Sequence, residues 1–130
     1  MPKKTSLLLL LWVISYKLFA QHTHLFLAAG QSNAVGVGNA DSSVTCPAGF
    51  CYEYISWADS LRPLKDPVGY TSADEDFQAA VTGSLWPSFA SAYHVATGDT
   101  IVIVQAAKGG TSCLAAADAG AGNWGPNYHL

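Results

Sequence analysis

A small polar cluster follows a short apolar run near the start of this 130-residue chain. The run is Leu25 to Ala29, Gly30 interrupts it, and Gln31, Ser32 and Asn33 come next. This pattern is typical of a buried strand that ends in a tight turn. In an open parallel α/β sheet, ligands bind outside the carboxyl ends of the strands. The pattern therefore predicts that the Ser32 hydroxyl points into a ligand crevice, where it could act as a nucleophile.

The same cluster is consistent with roles that involve no catalysis. Ser and Asn after a glycine often turn the chain or cap a helix. A phosphate-binding loop fits less well, because one residue too many separates Gly30 from Gly36 and neither Lys-Ser nor Lys-Thr follows. Gly36-Val37-Gly38 also lacks the third glycine of a dinucleotide fingerprint. Nucleotide binding is the weaker alternative.

A second apolar run ends in a similar loop. Ile101 to Val104 is β-branched throughout, which is typical of a central parallel strand buried on both faces. The loop Lys108 to Ser112 follows shortly after it. In a flavodoxin-like order, 2-1-3-4-5, the first and third strands are neighbours, so Ser32 and Gly110 are expected to face each other across one crevice.

That placement suggests acyl transfer. The reaction needs a nucleophile, a base, and N–H groups aimed at the developing oxyanion. Glycine lets a backbone N–H approach a ligand closely. Gly109 and Gly110, together with the amide of Ser32, are therefore candidates for an oxyanion hole. A glycine pair that serves only the turn is the alternative.

Three stretches, taken together, resemble the SGNH hydrolase superfamily, in the branch of sialate O-acetylesterases and family 6 carbohydrate (acetyl xylan) esterases. They are Gly30 to Asn33, then Leu64 to Gly69 with Trp86 to Ala90, and finally Gln105 to Ser112. The resemblance covers most of the chain beyond residue 24 and implies a three-layer α/β/α fold with a parallel sheet.

The same resemblance implies a function. Ser32 is expected to be the nucleophile that removes O-acetyl groups from carbohydrates, with Gln31, Asn33 and Thr111 as candidate substrate contacts. No metal or organic cofactor is implied, and the expected partner is an acetylated carbohydrate. The residues carry no signal for an oligomeric state.

The chain departs from this family in the residues of the catalytic base. The family pattern includes a later Gln-Gly-Glu motif and an Asp-x-x-His motif, and residues 1–130 contain neither. Pro126, not an Asp, lies three residues before His129. His22, His24 and His94 do not lie in an Asp-x-x-His motif either. We therefore expect an N-terminal part of an esterase domain, inactive and marginally folded by itself. A non-catalytic carbohydrate-binding or cell-surface module on the same scaffold is the alternative function.

The first twenty residues resemble a secretory signal peptide. Lys3 and Lys4 precede an apolar run, Leu7 to Ile14, and Ala20 offers a small residue for cleavage. A buried helix or an uncleaved anchor is the alternative. Residues 21–130 then form one domain with three basic and nine acidic residues, a formal charge of −6. That charge disfavours nucleic acid as a partner, and no membrane contact is expected after cleavage.

The remaining sequence predicts local features. Cys46 and Cys51 could close a small disulfide loop in an oxidising compartment, which would leave Cys113 as a buried or partly buried thiol. A short strand is expected at Cys51 to Ile55 and a surface loop at Leu61 to Ala80. A helix capped by Ser84 and ended by Gly98 is expected to follow. Its predicted packing face comprises Leu85, Phe89, Ala92 and Ala96, with Tyr93 beside them.

Overall fold

The computed structural model describes residues 21–73 and 76–126. The predicted signal peptide and His129 lie outside these residues. The described part has a mixed α/β fold, with the elements β1 (Thr23–Gly30), α1 (Ser32–Val35), β2 (Cys51–Ile55), β3 (Ser60–Pro63), α2 (Trp86–Thr97) and β4 (Thr100–Ala107). Among these residues, no helix has both the length and the apolar character that crossing a membrane requires.

The four strands form one mostly parallel sheet in the order β1-β4-β2-β3. β4 pairs in parallel with both β1 and β2, whereas β2 and β3 are antiparallel. The prediction that the first and third predicted strands are neighbours is confirmed, as is the strand at Cys51–Ile55. The flavodoxin-like order is wrong for that second strand, which pairs with β4 instead of β1. In the observed pairing Cys51 lies opposite Ile101, and burial of both side chains in one cluster stabilises it.

The core lies between one face of this sheet and α2. Phe26 on β1 packs edge-on against Phe89 and Tyr93 of α2, with ring centroids 5.0 and 5.1 Å apart. Ile101 and Ile103 of β4 are fully buried in the same cluster. Burial of these side chains is the main favourable contribution to this packing.

The opposite face of the sheet is open over β1 and β3. Side chains alternate along a strand, so the register places Leu25, Leu27 and Leu61 on the face away from α2. Leu25 and Leu27 are 66% and 65% exposed. Within residues 21–73 and 76–126, the helical layer over the sheet is therefore α2 on one face. Among the described residues, β1 and β3 are the edge strands of this sheet, and β4 lies inside it.

The segment from Leu61 to Ala80 is not a surface loop throughout, as the sequence predicted. Its first residues belong to β3, which turns back onto β2 after Asp59, a residue with φ of 43°. Leu64, Val68 and Ala80 are buried. The prolines and glycine of this segment shape a chain that packs against the sheet.

α2 differs from its prediction in its cap and in its packing face. Leu85, not Ser84, is the N-cap residue, although Ser84 Oγ accepts a hydrogen bond from the Trp86 amide at 3.3 Å. Pro87 lies in the first turn and Gly98, with φ of 78°, ends the helix, as predicted. The predicted packing of Phe89 and Tyr93 is confirmed, but the helix is rotated so that Trp86, Pro87 and Ala90 join them, whereas Leu85, Ala92 and Ala96 are exposed. The large aromatic rings fill the space above β1 better than alanines would, and their burial determines the rotation.

The cysteines also differ from expectation. All three are free thiols, so the disulfide that Cys46 and Cys51 could form is absent. Cys46 Sγ instead donates to the Pro87 carbonyl at 3.2 Å. Burial, with a smaller contribution from the Cys51 thiol, raises the pKa of Cys46 to about 12, so this thiol stays protonated. Cys113 is exposed rather than buried, because the loop that follows Ser112 runs along the surface.

Candidate active site

Ser32 lies where the sequence placed it, directly after the carboxyl end of β1. It is the first residue of α1, a single helical turn in which the Gln31 carbonyl accepts from the amides of Ala34 and Val35 at 2.8 and 3.0 Å. The side chain of Ser32 is half-buried, and its hydroxyl donates to Gln31 Oε1 at 3.1 Å. A neutral amide oxygen is not a base, so this contact holds the hydroxyl without activating it.

The loop with the two glycines begins at the same edge of the sheet. Gly30 and Ala107 are paired in the register of β1 and β4, and the Lys108 amide donates to the Gly30 carbonyl at 2.9 Å. Gly110 has φ of 79°, which favours glycine, and a Cβ there would lie 3.1 Å from that of Ala121. The structure thus brings the Ser32 turn and the glycine loop together at neighbouring strand ends.

Gly109 does not present a free amide. Its N–H donates to Gln78 Oε1 at 2.8 Å. Gln78 is held at this place by its own backbone: its amide donates to the Ala107 carbonyl at 2.9 Å, and its carbonyl accepts from Gln105 Nε2 at 2.7 Å. The Gly109 amide can therefore serve an oxyanion only when the side chain of Gln78 moves away. Sequence reasoning missed Gln78, since a glutamine in a loop carries no motif.

The three predicted substrate contacts differ in their surroundings. Gln31 and Asn33 are exposed on either side of Ser32, where a ligand could reach them. Thr111 is buried, and its hydroxyl already donates to the Lys108 carbonyl at 2.8 Å and accepts from Trp124 Nε1 at 2.9 Å. These two hydrogen bonds indicate that Thr111 stabilises the glycine loop.

The segment that leads into α2 contacts α1 and the residues that follow it. Trp86 Nε1 donates to the Ala34 carbonyl at 2.8 Å. Gly38 and Gly83 exchange two backbone hydrogen bonds, of 2.8 and 2.9 Å. Gly36 has φ of 107°, and a Cβ at this position would lie 2.6 Å from the Cβ of Ser84. The sequence did not reveal these contacts, because they join residues about fifty positions apart.

The segment after the glycine loop folds back onto it. Ser112 and Asn123 form an isolated bridge, and Asn123 is buried. Asp118 accepts from the amides of Gly120 and Gly122 at 2.8 and 3.0 Å. The hydrogen bond from Gly120, followed by that from the Asn123 side chain, lowers the pKa of this carboxyl, so Asp118 stays ionised and holds the segment in place.

The described histidines lie at the other end of the sheet. His24 Nε2 is 2.9 Å from Asp99 Oδ2, and His94 Nδ1 is 2.7 Å from the Asp99 carbonyl oxygen. The hydrogen bond from the His22 amide, followed by the one from His24, lowers the pKa of Asp99. However, His24 pairs with Ile101 at the start of the strands, about 20 Å from the end of β1 at 3.3 Å per residue. The His24–Asp99 pair therefore cannot take the proton of Ser32.

Two cavities adjoin each other near the glycine loop. The smaller one, of about 310 Å³, is lined by Thr71, Gln78, Ala79 and Val81. Gln78 connects it to Gly109, and the Val81 amide donates to the Gly36 carbonyl at 3.0 Å. The larger one, of about 590 Å³, shares Ala79 with it. Ser32 lines neither cavity.

Neither a search for metal-binding groups nor a comparison with known proteins assigns a function to this site. In the part of the chain that the structure describes, no three His, Cys, Asp or Glu side chains are grouped closely enough to hold a metal ion. A scan against protein-family models finds no match to this chain, and a search of curated proteins finds no significant match.

Proposed function

We propose that this chain carries the nucleophile of a serine esterase of SGNH type that removes O-acetyl groups from glycans. The observation that supports the proposal most is the position of Ser32. It follows the carboxyl end of β1, beside the loop of Gly109 and Gly110 at the end of β4. Ligands of open parallel sheets bind at this edge.

The proposed chemistry is acyl transfer in two steps. Ser32 Oγ attacks the acetyl carbonyl, its proton passes to a base, and the sugar hydroxyl leaves after receiving that proton. Water then hydrolyses the acetyl-serine to acetate. The amides of Ser32 and Gly110 are the proposed donors to the oxyanion, and that of Gly109 joins them once Gln78 releases it.

The proposed base is a histidine of an Asp-x-x-His segment, which residues 1–130 do not contain. His22, His24 and His94 are grouped around Asp99, at the amino ends of β1 and β4. A serine hydroxyl is a weak nucleophile until a positioned base accepts its proton. The 130-residue chain is thus proposed to be inactive as it stands.

The test compares two serine variants in a form of the protein that carries an Asp-x-x-His segment. Ser32→Ala should lower acetate release from an acetyl ester by several powers of ten, roughly 10⁶ for the nucleophile of a well-studied protease. Ser112→Ala is the control, because its hydroxyl is committed to the Leu114 carbonyl at 2.7 Å.

The control should retain most of the activity. Equal losses in the two variants would refute the role of Ser32. Turnover by the 130-residue chain that depends on Ser32 would refute the proposed base. Saturable binding of an acetylated glycan with no hydrolysis by the longer form would favour the binding module.

We also propose that the protein is exported, with residues 1–20 as its signal peptide. The proposal depends on the basic residues, the apolar run and the small residue before Gln21. N-terminal sequencing of the exported protein should begin at Gln21. A product that retains Met1 and sediments with membranes would contradict it.

A further inference from the structure

We propose that the larger cavity binds a small organic anion, with a carboxylate or phosphate group as the recognised part. This cavity, of about 590 Å³, lies beside β2 and β3 and includes Glu53, Arg62, Lys65, Asp66 and Gly69 in its lining. The volume is within the usual range for small-molecule sites, about 300 to 1,000 Å³. The proposal goes beyond the esterase function and does not depend on it, because neither Ser32 nor the glycine loop lines the cavity.

The guanidinium of Arg62 is fixed in place before any ligand arrives. Its Nε donates to Glu53 Oε1, and its Nη2 donates to the Gly69 carbonyl at 3.0 Å. Glu53 is buried, and its second oxygen accepts from the Gly69 amide at 2.8 Å. The hydrogen bonds of the described residues do not use Nη1 of Arg62. A pre-organised guanidinium loses little conformational entropy when it binds an oxyanion.

Both acidic residues in the lining of this cavity, Glu53 and Asp66, already accept hydrogen bonds. Asp66 Oδ1 accepts from the amide and hydroxyl of Ser84 at 2.9 and 2.7 Å, and its Oδ2 accepts from Ser43 Oγ at 2.6 Å. Lys65 is exposed and takes part in neither of the ion pairs found among the described residues. The cavity therefore presents unused donors beside occupied acceptors, which favours a ligand that supplies acceptor oxygens.

Other residues of the lining suggest that the anion is organic. Pro63, Pro67 and Ala79 contribute apolar surface beside the two cations. A free inorganic ion would leave this surface in water, whereas the C–H groups of a monosaccharide or a similar body would cover it. Apolar walls with a few placed polar groups are the usual composition of small-molecule sites.

The first experiment titrates the purified protein with three sugars and follows the amide NMR signals of Gly69 and Ala79. Glucuronate tests a carboxylate, glucose 6-phosphate tests a phosphate, and glucose is the neutral control. Saturable shifts with at least one anion and none with glucose are expected, and the stronger anion identifies the recognised group. Equal shifts with glucose, or no saturation by either anion, would overturn the proposal.

The second experiment repeats the titration with charge variants. Lys65→Met should weaken anion binding at least about tenfold, the lower end of the range for losing one hydrogen bond to a charged group. Lys108→Met removes the same charge outside the cavity and should leave the affinity unchanged. Equal weakening by both variants would indicate general charge attraction and overturn the site. Arg62→Lys keeps the charge and a donor for Glu53, and it should also weaken binding, because a lysine lacks the fork of donors.

Discussion

The amide of Gly109 has a hydrogen-bond partner in the structure and is also a proposed oxyanion donor. A glycine beside a nucleophile is suited to an oxyanion hole, since its N–H is accessible. In the structure this N–H donates to Gln78 Oε1 at 2.8 Å, so it is not free for another acceptor. Removing such an oxygen costs the hydrogen bond it makes, so a substrate must supply an equal or better acceptor.

A variant of Gln78 tests this contact. Gln78→Leu keeps the backbone bonds of residue 78 and removes only the acceptor for Gly109. The free energy of unfolding should fall by about 1 kcal/mol, and hydrogen exchange at the Gly109 amide should become faster. Chemical denaturation and amide exchange measured by NMR report the two effects.

The control is Gln31→Leu, since the side-chain oxygen of Gln31 is exposed and accepts only from the Ser32 hydroxyl among the described contacts. It should leave the Gly109 amide unchanged. Unaltered exchange at Gly109 in Gln78→Leu would show that the contact does not protect this amide.

At the scale of elements, α1 depends on its neighbours for its position. Four residues cannot form a stable helix alone, because nucleation costs more than one turn of hydrogen bonds returns. The hydrogen bond from Trp86 to Ala34 and the close approach of Gly36 to Ser84 hold the turn that presents Ser32. The start of α2 thus positions the candidate nucleophile.

Alanine variants of two glycines separate the stability cost of a strained backbone from that of close packing. Gly36 and Gly49 both have positive φ, of 107° and 87°, so an alanine is strained at either site. A Cβ at Gly36 would also lie 2.9 Å from the Gly83 carbonyl oxygen, whereas nothing lies within 4 Å of one at Gly49. Gly36→Ala should therefore cost about 1 to 3 kcal/mol more stability than Gly49→Ala, the usual range for overpacking.

Urea denaturation of both variants measures this difference. Equal losses of stability would mean that residues 83 and 84 move away from an added Cβ at no energetic cost. The close contact of Gly36 with these residues would then not hold α1 in position.

At the scale of the whole molecule, the sheet buries one face better than the other. α2 covers the face with Phe26 and Ile103, while Leu25 and Leu27 on the other face are largely exposed. Among the described strands, β1 also has one edge without a partner. An apolar strand at an open edge is a predicted site of aggregation.

Charges on that face should therefore improve solubility. Leu25→Lys with Leu27→Lys is expected to reduce light scattering on concentration and to change the unfolding midpoint little. Val81→Lys with Val95→Lys adds the same charge at residues that are 74% and 79% exposed elsewhere. It should reduce scattering less. If both pairs act equally, net charge rather than the open face controls aggregation.

Much of the fold can be predicted from local sequence. The β-branched run of β4 and the apolar run of β1 identify these strands, and Gly30 and Gly98 mark the ends of β1 and α2, because these preferences act over a few residues. The positions of Ser32 and of the glycine loop at two strand ends follow from the same signals. The pairing of β1 with β4 is expected from a flavodoxin-like order, although that order misplaces β2.

Tertiary structure alone decided the rest, because those features depend on residues far apart in the chain. The rotation of α2 is set where Phe89 and Tyr93 meet Phe26, whereas the periodicity of α2 by itself also places Leu85, Ala92 and Ala96 on the packing face. Likewise, the state of the Gly109 amide depends on Gln78, thirty-one positions away. The sequence determined which groups could do chemistry at this edge of the sheet. Long-range packing and hydrogen bonding determined which of those groups are free to do it.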